Sequence, residues 1–107
     1  MAIPVYEPKT TLAKGVFSLL NEVILTAPPQ TNTVVDKFFI KNNSGFSIDL
    51  LFVRAGLQHE ITLLSKYSLD VLDPEEVWRL EAGETITAKS SEANAASFYI
   101  EGEHETV

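Results

Sequence analysis

Between Val77 and Glu103 the chain reads VWRLEAGETITAKSSEANAASFYIEGE. Apolar and polar residues alternate there at period two, and turn-forming residues separate the runs. Side chains of an extended strand share a face at that spacing, whereas a helix needs recurrence near every third or fourth residue. The stretch therefore predicts three strands: Val77 to Leu80, Thr85 to Lys89 and Ser97 to Glu101. A tight turn is expected at Glu81-Ala82-Gly83-Glu84 and a looser one at Ser91-Glu92-Ala93-Asn94. Ile86, Ala88, Phe98 and Ile100 point inward on this pattern, and Thr85, Thr87 and Lys89 point outward. Trp78 shares a face with Leu80 and belongs to the core or its rim, while Arg79 takes the other side. Gly83 is expected at positive φ, the region a glycine enters without steric cost.

The rest of the chain repeats the pattern. Val34 to Asn42 (VVDKFFIKN) and Ser47 to Arg54 (SIDLLFVR) are rich in β-branched and aromatic residues. Asn42-Asn43-Ser44-Gly45 supplies turn residues between them, so the two read as a hairpin. Val34, Phe38, Ile40, Ile48, Leu50 and Phe52 form its inward set, with Asp36 a misfit. His59 to Leu64 and Tyr67 to Leu72 read as further short strands, the second with Leu69 and Val71 inward. Asp73-Pro74-Glu75-Glu76 reads as a type I turn. Val16 to Thr26 reads as two short strands around Asn21-Glu22, with one helix as the rival; Pro28-Pro29 ends it.

About seven or eight short strands at regular spacing imply an all-β, single-domain antiparallel β-sandwich, jelly-roll or Ig-like, with a small β-barrel as the alternative. The expected layout is an extended N-terminal arm over 1–15, a sandwich over 16–103 and a tail over 104–107. Pro4 and Pro8 exclude helix from the arm, and Tyr6 is its one large anchor.

Composition narrows the function. The formal charge of −7 disfavours nucleic acid as a partner, because a phosphate backbone is repelled. No apolar run is long enough for a membrane-spanning helix, and the first ten residues lack the order of a signal peptide. With no cysteine, disulfides and thiolate metal sites are excluded.

No catalytic, cofactor or metal site is expected. His59 and Glu60 are neighbours on a strand and so point to opposite faces, and His104 lies among acids near the C-terminus. Asp70, Asp73, Glu75 and Glu76 cluster, but without calcium-loop spacing, and read as a solvated turn. There is no nucleophile elbow and no phosphate loop.

Four segments carry a resemblance. They are ILTAPPQTNTVVDKFFIKNNSG, with a strand ending in N-x-S-G; SIDLLFVRAG; LEAGETITAKSS, an L-x-x-G-D/E-x-I-x-A turn; and FYIEGEHE, a strand closing on a Gly-Glu pair. Their order from Thr26 to Glu103 resembles small β-sandwich virion structural proteins of tailed bacteriophages. That resemblance implies a non-enzymatic head, neck or tail component, made in the bacterial host cytoplasm and acting by contacts with itself and other virion proteins. A β-sandwich binding module for a host-surface glycan or protein is the other reading, with Gly56-Leu57-Gln58 and Ser91 to Ala95 as candidate presenting loops.

The expected homo-oligomer has a candidate contact. On the hairpin reading, Val35, Phe39, Leu51 and Val53 lie together on the outward face. Contiguous exposed apolar surface of that kind marks an interface.

Overall fold

The computed structural model describes residues 10–106. The expected arm up to Lys9, with Pro4, Tyr6 and Pro8, lies outside the described residues. All regular structure among those described is β. The strands are β1 (Thr10–Val16), β2 (Glu22–Thr26), β3 (Thr31–Asn42), β4 (Ile48–Arg54), β5 (Leu57–Leu63), β6 (Ser68–Asp70), β7 (Trp78–Leu80), β8 (Thr85–Ser90) and β9 (Ala96–Thr106).

They form two antiparallel sheets packed face to face. One has the order β1-β9-β3-β6, with β7 also paired to β3; the other has the order β2-β8-β4-β5. The pairing follows one long folded ribbon. Its tip is the β4–β5 hairpin, closed at Ala55-Gly56, where both residues have positive φ (50° and 78°) as a two-residue type I′ turn requires. Behind the tip β3 pairs with β6 and β7, then β2 with β8, then β1 with β9. Wrapping the ribbon brings β9 against β3 and β8 against β4. This is a jelly roll, and the two separate sheets exclude the closed barrel.

Several expectations change. The Val34–Arg54 hairpin does not form, because β3 and β4 belong to different sheets. The segment between them arches across the sandwich; β3 finds all its partners far away in sequence, while β4 pairs with the adjacent β5 and the distant β8. The Gly83 turn likewise joins β7 in one sheet to β8 in the other. It is closed by the Glu84 amide donating to the Glu81 carbonyl (2.8 Å), with Gly83 at φ 86°. Asp73 to Glu76 also turns, but Glu75 at φ 70° in the third position makes it type II rather than type I.

Both expected domain boundaries move outward. Residues 10–15 belong to β1 and pair with β9, and His104 to Thr106 continue β9 beside Thr31 to Thr33.

The Asp36 misfit has a cause. A β-bulge against β9 falls between Val35 and Lys37, and the extra residue switches the inward parity. Val35, Phe38 and Ile40 consequently face the core, all at most 1% exposed, instead of Val34 with Phe38 and Ile40. Gly102 lies opposite Val35 at this bulge, and a Cβ there would overlap the Val34 carbonyl oxygen.

The core contains a run of ring contacts: Phe98–Phe17 at 5.0 Å, Phe17–Phe52 at 5.5 Å, Phe52–Phe38 at 5.0 Å, Phe38–Trp78 at 5.8 Å and Trp78–His59 at 5.0 Å between centroids. Members come from both sheets, so the run ties them together. Each fully buried aromatic contributes about 1.5–3 kcal/mol by removal from water, and each edge-to-face pair adds about 0.5–1.5 kcal/mol. Phe17 lies in the β1–β2 connection and is held by hydrogen bonds from its amide to Ala96 and from the Asn94 amide to its carbonyl.

Candidate functional site

Two surfaces stand out. The first is the end of the sandwich where the connections 17–21, 43–47, 64–67 and 91–95 meet. The connections are laced together. The Asn43 amide donates to the Ala95 carbonyl (2.8 Å), the Ser65 hydroxyl to the Ser44 carbonyl (2.9 Å), and the Ser90 amide to the Ser18 carbonyl (2.8 Å). At the centre Asn42 is fully buried. Its Nδ2 donates to the Phe46 and Leu63 carbonyls, and its Oδ1 accepts from the Ser44 amide and hydroxyl.

This ordered framework displays large apolar side chains outward. Leu19, Leu20, Phe46, Leu64 and Tyr67 are each more than half exposed, Leu20 the most at 72%. Scattered single hydrophobics are normal on a soluble surface, but five on three connections at one end are a concentration of exposed apolar residues. Alternation does not single them out: it places Leu64 and Tyr67 in strands and Leu19 and Leu20 in the Val16–Thr26 run, whereas in the structure all five lie between strands.

The second surface is a cleft of about 470 Å³ at the open edge of the sandwich, between β5 and the side carrying β7. Arg54, His59, Trp78, Asp73 and Glu76 are among its lining residues. Residues directly opposite in a ladder share a face. His59 is opposite Phe52, so it faces inward with it, and its ring stacks on Trp78 at an interplanar angle of 28°. The Arg54 guanidinium sits 4.7 Å from the Trp78 ring, a cation–π contact. Arg54 Nε and His59 Nε2 are buried without a hydrogen-bond partner among the described residues. Leaving a buried polar group of this kind unpaired costs about 1–3 kcal/mol.

The loop carrying Asp73 and Glu76 exists because the sheet edge is interrupted. β6 pairs with Phe39 to Lys41 and β7 with Thr33 to Val35, so residues 71–77 leave the edge and return. Asp70 bridges the gap: its Oδ1 accepts from the amides of Phe38 (3.2 Å) and Leu72 (3.1 Å). The acidic cluster read from the sequence thus divides into a structural Asp70 and a cleft-lining Asp73 and Glu76. His104 lies apart from the cleft cluster and pairs through Nδ1 with the Thr33 hydroxyl (2.8 Å). Among the described residues no group of three or more acids and histidines could hold a metal.

The four residues expected to share an interface are not brought together. Val35 is in the core, at 0% exposed. Phe39 lies on the outer face of its sheet, stacked on Tyr99 at 6.5 Å with Lys37 nearby. Leu51 and Val53 are half-buried on the other sheet, where Leu51 is flanked by Glu60 and Lys89. The reason is the absent hairpin. The two candidate presenting loops also separate, with 56–58 at the ribbon tip and 91–95 at the opposite end of the strands.

Comparison with family models, curated proteins and solved structures finds no match for this chain. No described helix is long and apolar enough to cross a membrane.

Proposed function

We propose that this protein is a non-enzymatic structural component of a bacteriophage virion, acting through contacts between its own copies and with other virion proteins. The observation that carries the reading is the hydrogen-bonded loop end bearing the exposed Leu19, Leu20, Phe46, Leu64 and Tyr67. A surface meant for solvent gains nothing from displaying five large hydrophobics on a hydrogen-bonded framework. Burying them against a symmetric neighbour removes that apolar area from water once per copy. The jelly roll is compatible with this role: the fold serves viral capsid domains, and also lectins and cupins, so it raises the prior by analogy alone. The resemblance of the Thr26–Glu103 segments to small tailed-phage virion proteins is the other support.

The test is molar mass by light scattering across a concentration series, for the parent and for Leu20→Lys with Phe46→Lys. The reading expects a discrete oligomer that the double variant dissociates. A parent that stays monomeric throughout, or a variant with the parent's mass, overturns self-assembly through this end.

A further inference from the structure

We propose that the free edge of β5 pairs with residues 3–7 of a second copy of this chain, which add a fifth strand to the β2-β8-β4-β5 sheet. This contact is separate from the loop end, and it rests on the assembly reading only in that its partner is another copy. An unpaired sheet edge is a template for a further strand unless a bulge, a proline or an interruption blunts it. β1 has a bulge between Thr11 and Ala13, and β2 has one between Val23 and Leu25. β6 and β7 are three residues each and interrupt their edge. β5 is the regular one: it pairs with β4 over seven consecutive residues without a bulge and contains no proline, glycine or lysine. Its turn fixes which backbone groups are free. A two-residue turn makes Arg54 and Leu57 a hydrogen-bonded pair, and such pairs alternate along the ladder. Gln58, Glu60 and Thr62 therefore turn their N–H and C=O groups away from β4. The Asp49 carbonyl, opposite Thr62, accordingly accepts from the Ser91 amide on the β8 side at 2.9 Å. Gln58, Glu60 and Thr62 are all exposed.

The occupant follows from the sequence Ile3-Pro4-Val5-Tyr6-Glu7-Pro8. Backbone groups of alternate residues point to the same side of a strand. Pro4 and Pro8 fall together on one side, and Ile3, Val5 and Glu7 keep their N–H groups on the other. Such a segment adds to one edge and ends the sheet there. Its three donating residues match the three free positions on β5. Residues opposite in a ladder share a face, so pairing Val5 with Glu60 turns Tyr6 to the inner side with His59 and Ile61, over the open-edge cleft. That cleft offers Ile61 and Val71 to a ring and the Asp73 and Glu76 carboxylates to a hydroxyl. The rival occupant, β5 of a second copy, sets Glu60 against Glu60 in the register that uses all three positions, a destabilising like-charge pair. The segment does not reach its own β5. β5 flanks the cleft with β7, on the side of the sandwich away from β1, and the order from β1 to β6 spans three strand spacings, about 14 Å. The three residues from Glu7 to Thr10 cover at most about 11 Å. The contact thus runs head to tail, from the β1 side of one copy to the β5 side of the next, as in a ring or filament.

The chain has no cysteine, so introduced thiols report cleanly. Full-length Val5→Cys is mixed with full-length Glu60→Cys and treated with a short bis-maleimide, and cross-linked peptides are identified by mass spectrometry. A docked segment holds its thiol at high effective concentration, so the 5–60 link between chains should exceed by about tenfold or more the 5–37 link formed with Lys37→Cys, an exposed residue on the other sheet. Gln58→Pro, added to the Glu60→Cys chain, removes an N–H that points away from β4. The β4–β5 ladder and the circular dichroism should persist, while the 5–60 yield falls by about tenfold, the scale of one lost hydrogen bond. In the Leu20→Lys with Phe46→Lys background the 5–60 link should remain, so failure of the loop-end contact and failure of this one read separately. Equal 5–60 and 5–37 yields, a link that closes within one chain carrying both Val5→Cys and Glu60→Cys, a yield unmoved by Gln58→Pro, or loss of the link in the loop-end background overturns the proposal.

Discussion

The Asn42 side-chain amide donates to the Leu63 carbonyl at 3.0 Å, joining the last residue of β3 in one sheet to the last residue of β5 in the other. The same nitrogen reaches Phe46, and the oxygen is taken by Ser44, so both ends of the amide are used. A single buried side chain thus sets the shape of the β3–β4 arch that presents Phe46. Asn42→Ala takes this donor from the Leu63 carbonyl, while the Phe46 carbonyl keeps the Ser44 hydroxyl at 2.9 Å, and the loss should cost about 1–3 kcal/mol. Urea denaturation measures it; a midpoint equal to the parent's means that water takes over that bond.

Gly102 has a different constraint. Its φ is not in the positive range, but a Cβ would collide with the backbone oxygen of Val34, which cannot move without breaking the β3–β9 ladder at its bulge. Gly102→Ala should lower stability by about 1–3 kcal/mol, the scale of overpacking in a tight core. Thermal melting beside Gly45→Ala, where a Cβ meets nothing within 4 Å, separates steric overlap from any general effect of losing a glycine.

At Gly83 the cost is conformational. The φ of 86° and open space around the Cβ position mean that Gly83→Val is strained through its backbone rather than by contact. A loss of about 1–3 kcal/mol is expected. If Gly83→Asn, which tolerates positive φ better, melts no higher than Gly83→Val, backbone strain is not the cause.

Phe17 should prove the most costly truncation outside the strands. It is 1% exposed and packs against Phe52 and Phe98 from opposite sheets. Phe17→Ala is expected to cost about 3–5 kcal/mol. Leu57→Ser, 56% exposed at the β4–β5 turn and away from that loop end, should stay within about 0.5 kcal/mol. Equal effects of the two substitutions in chemical denaturation would contradict the observed burial.

Local patterning determined the strand content of this chain. Ile48, Leu50 and Phe52 face inward on β4, as do Ile86 and Ala88 on β8 and Phe98 and Ile100 on β9, because alternation depends only on neighbours along one strand. Trp78 and Leu80 share the buried side of β7 for the same reason. Gly83 takes positive φ because the turn needs it there. The β4–β5 hairpin was also within reach: a two-residue turn at Ala55-Gly56 places Phe52 opposite His59 and turns the histidine inward.

Strand partners were decided only by tertiary structure. An arch and a hairpin use the same turn residues, and period two is satisfied whether the next strand joins the same sheet or the facing one. Wrapping the ribbon put β3 beside β9 and β4 beside β8, which separated Phe39 from Leu51 and Val53. The bulge at Asp36 moved Val35 into the core through pairing with a strand far along the chain. Arg54, His59, Trp78, Asp73 and Glu76 meet because two sheet edges end side by side. Leu20, Phe46 and Leu64 gather because connections on different strands share one end of the sandwich. Hydrogen bonds between distant strands set those relations, and no local pattern carries them.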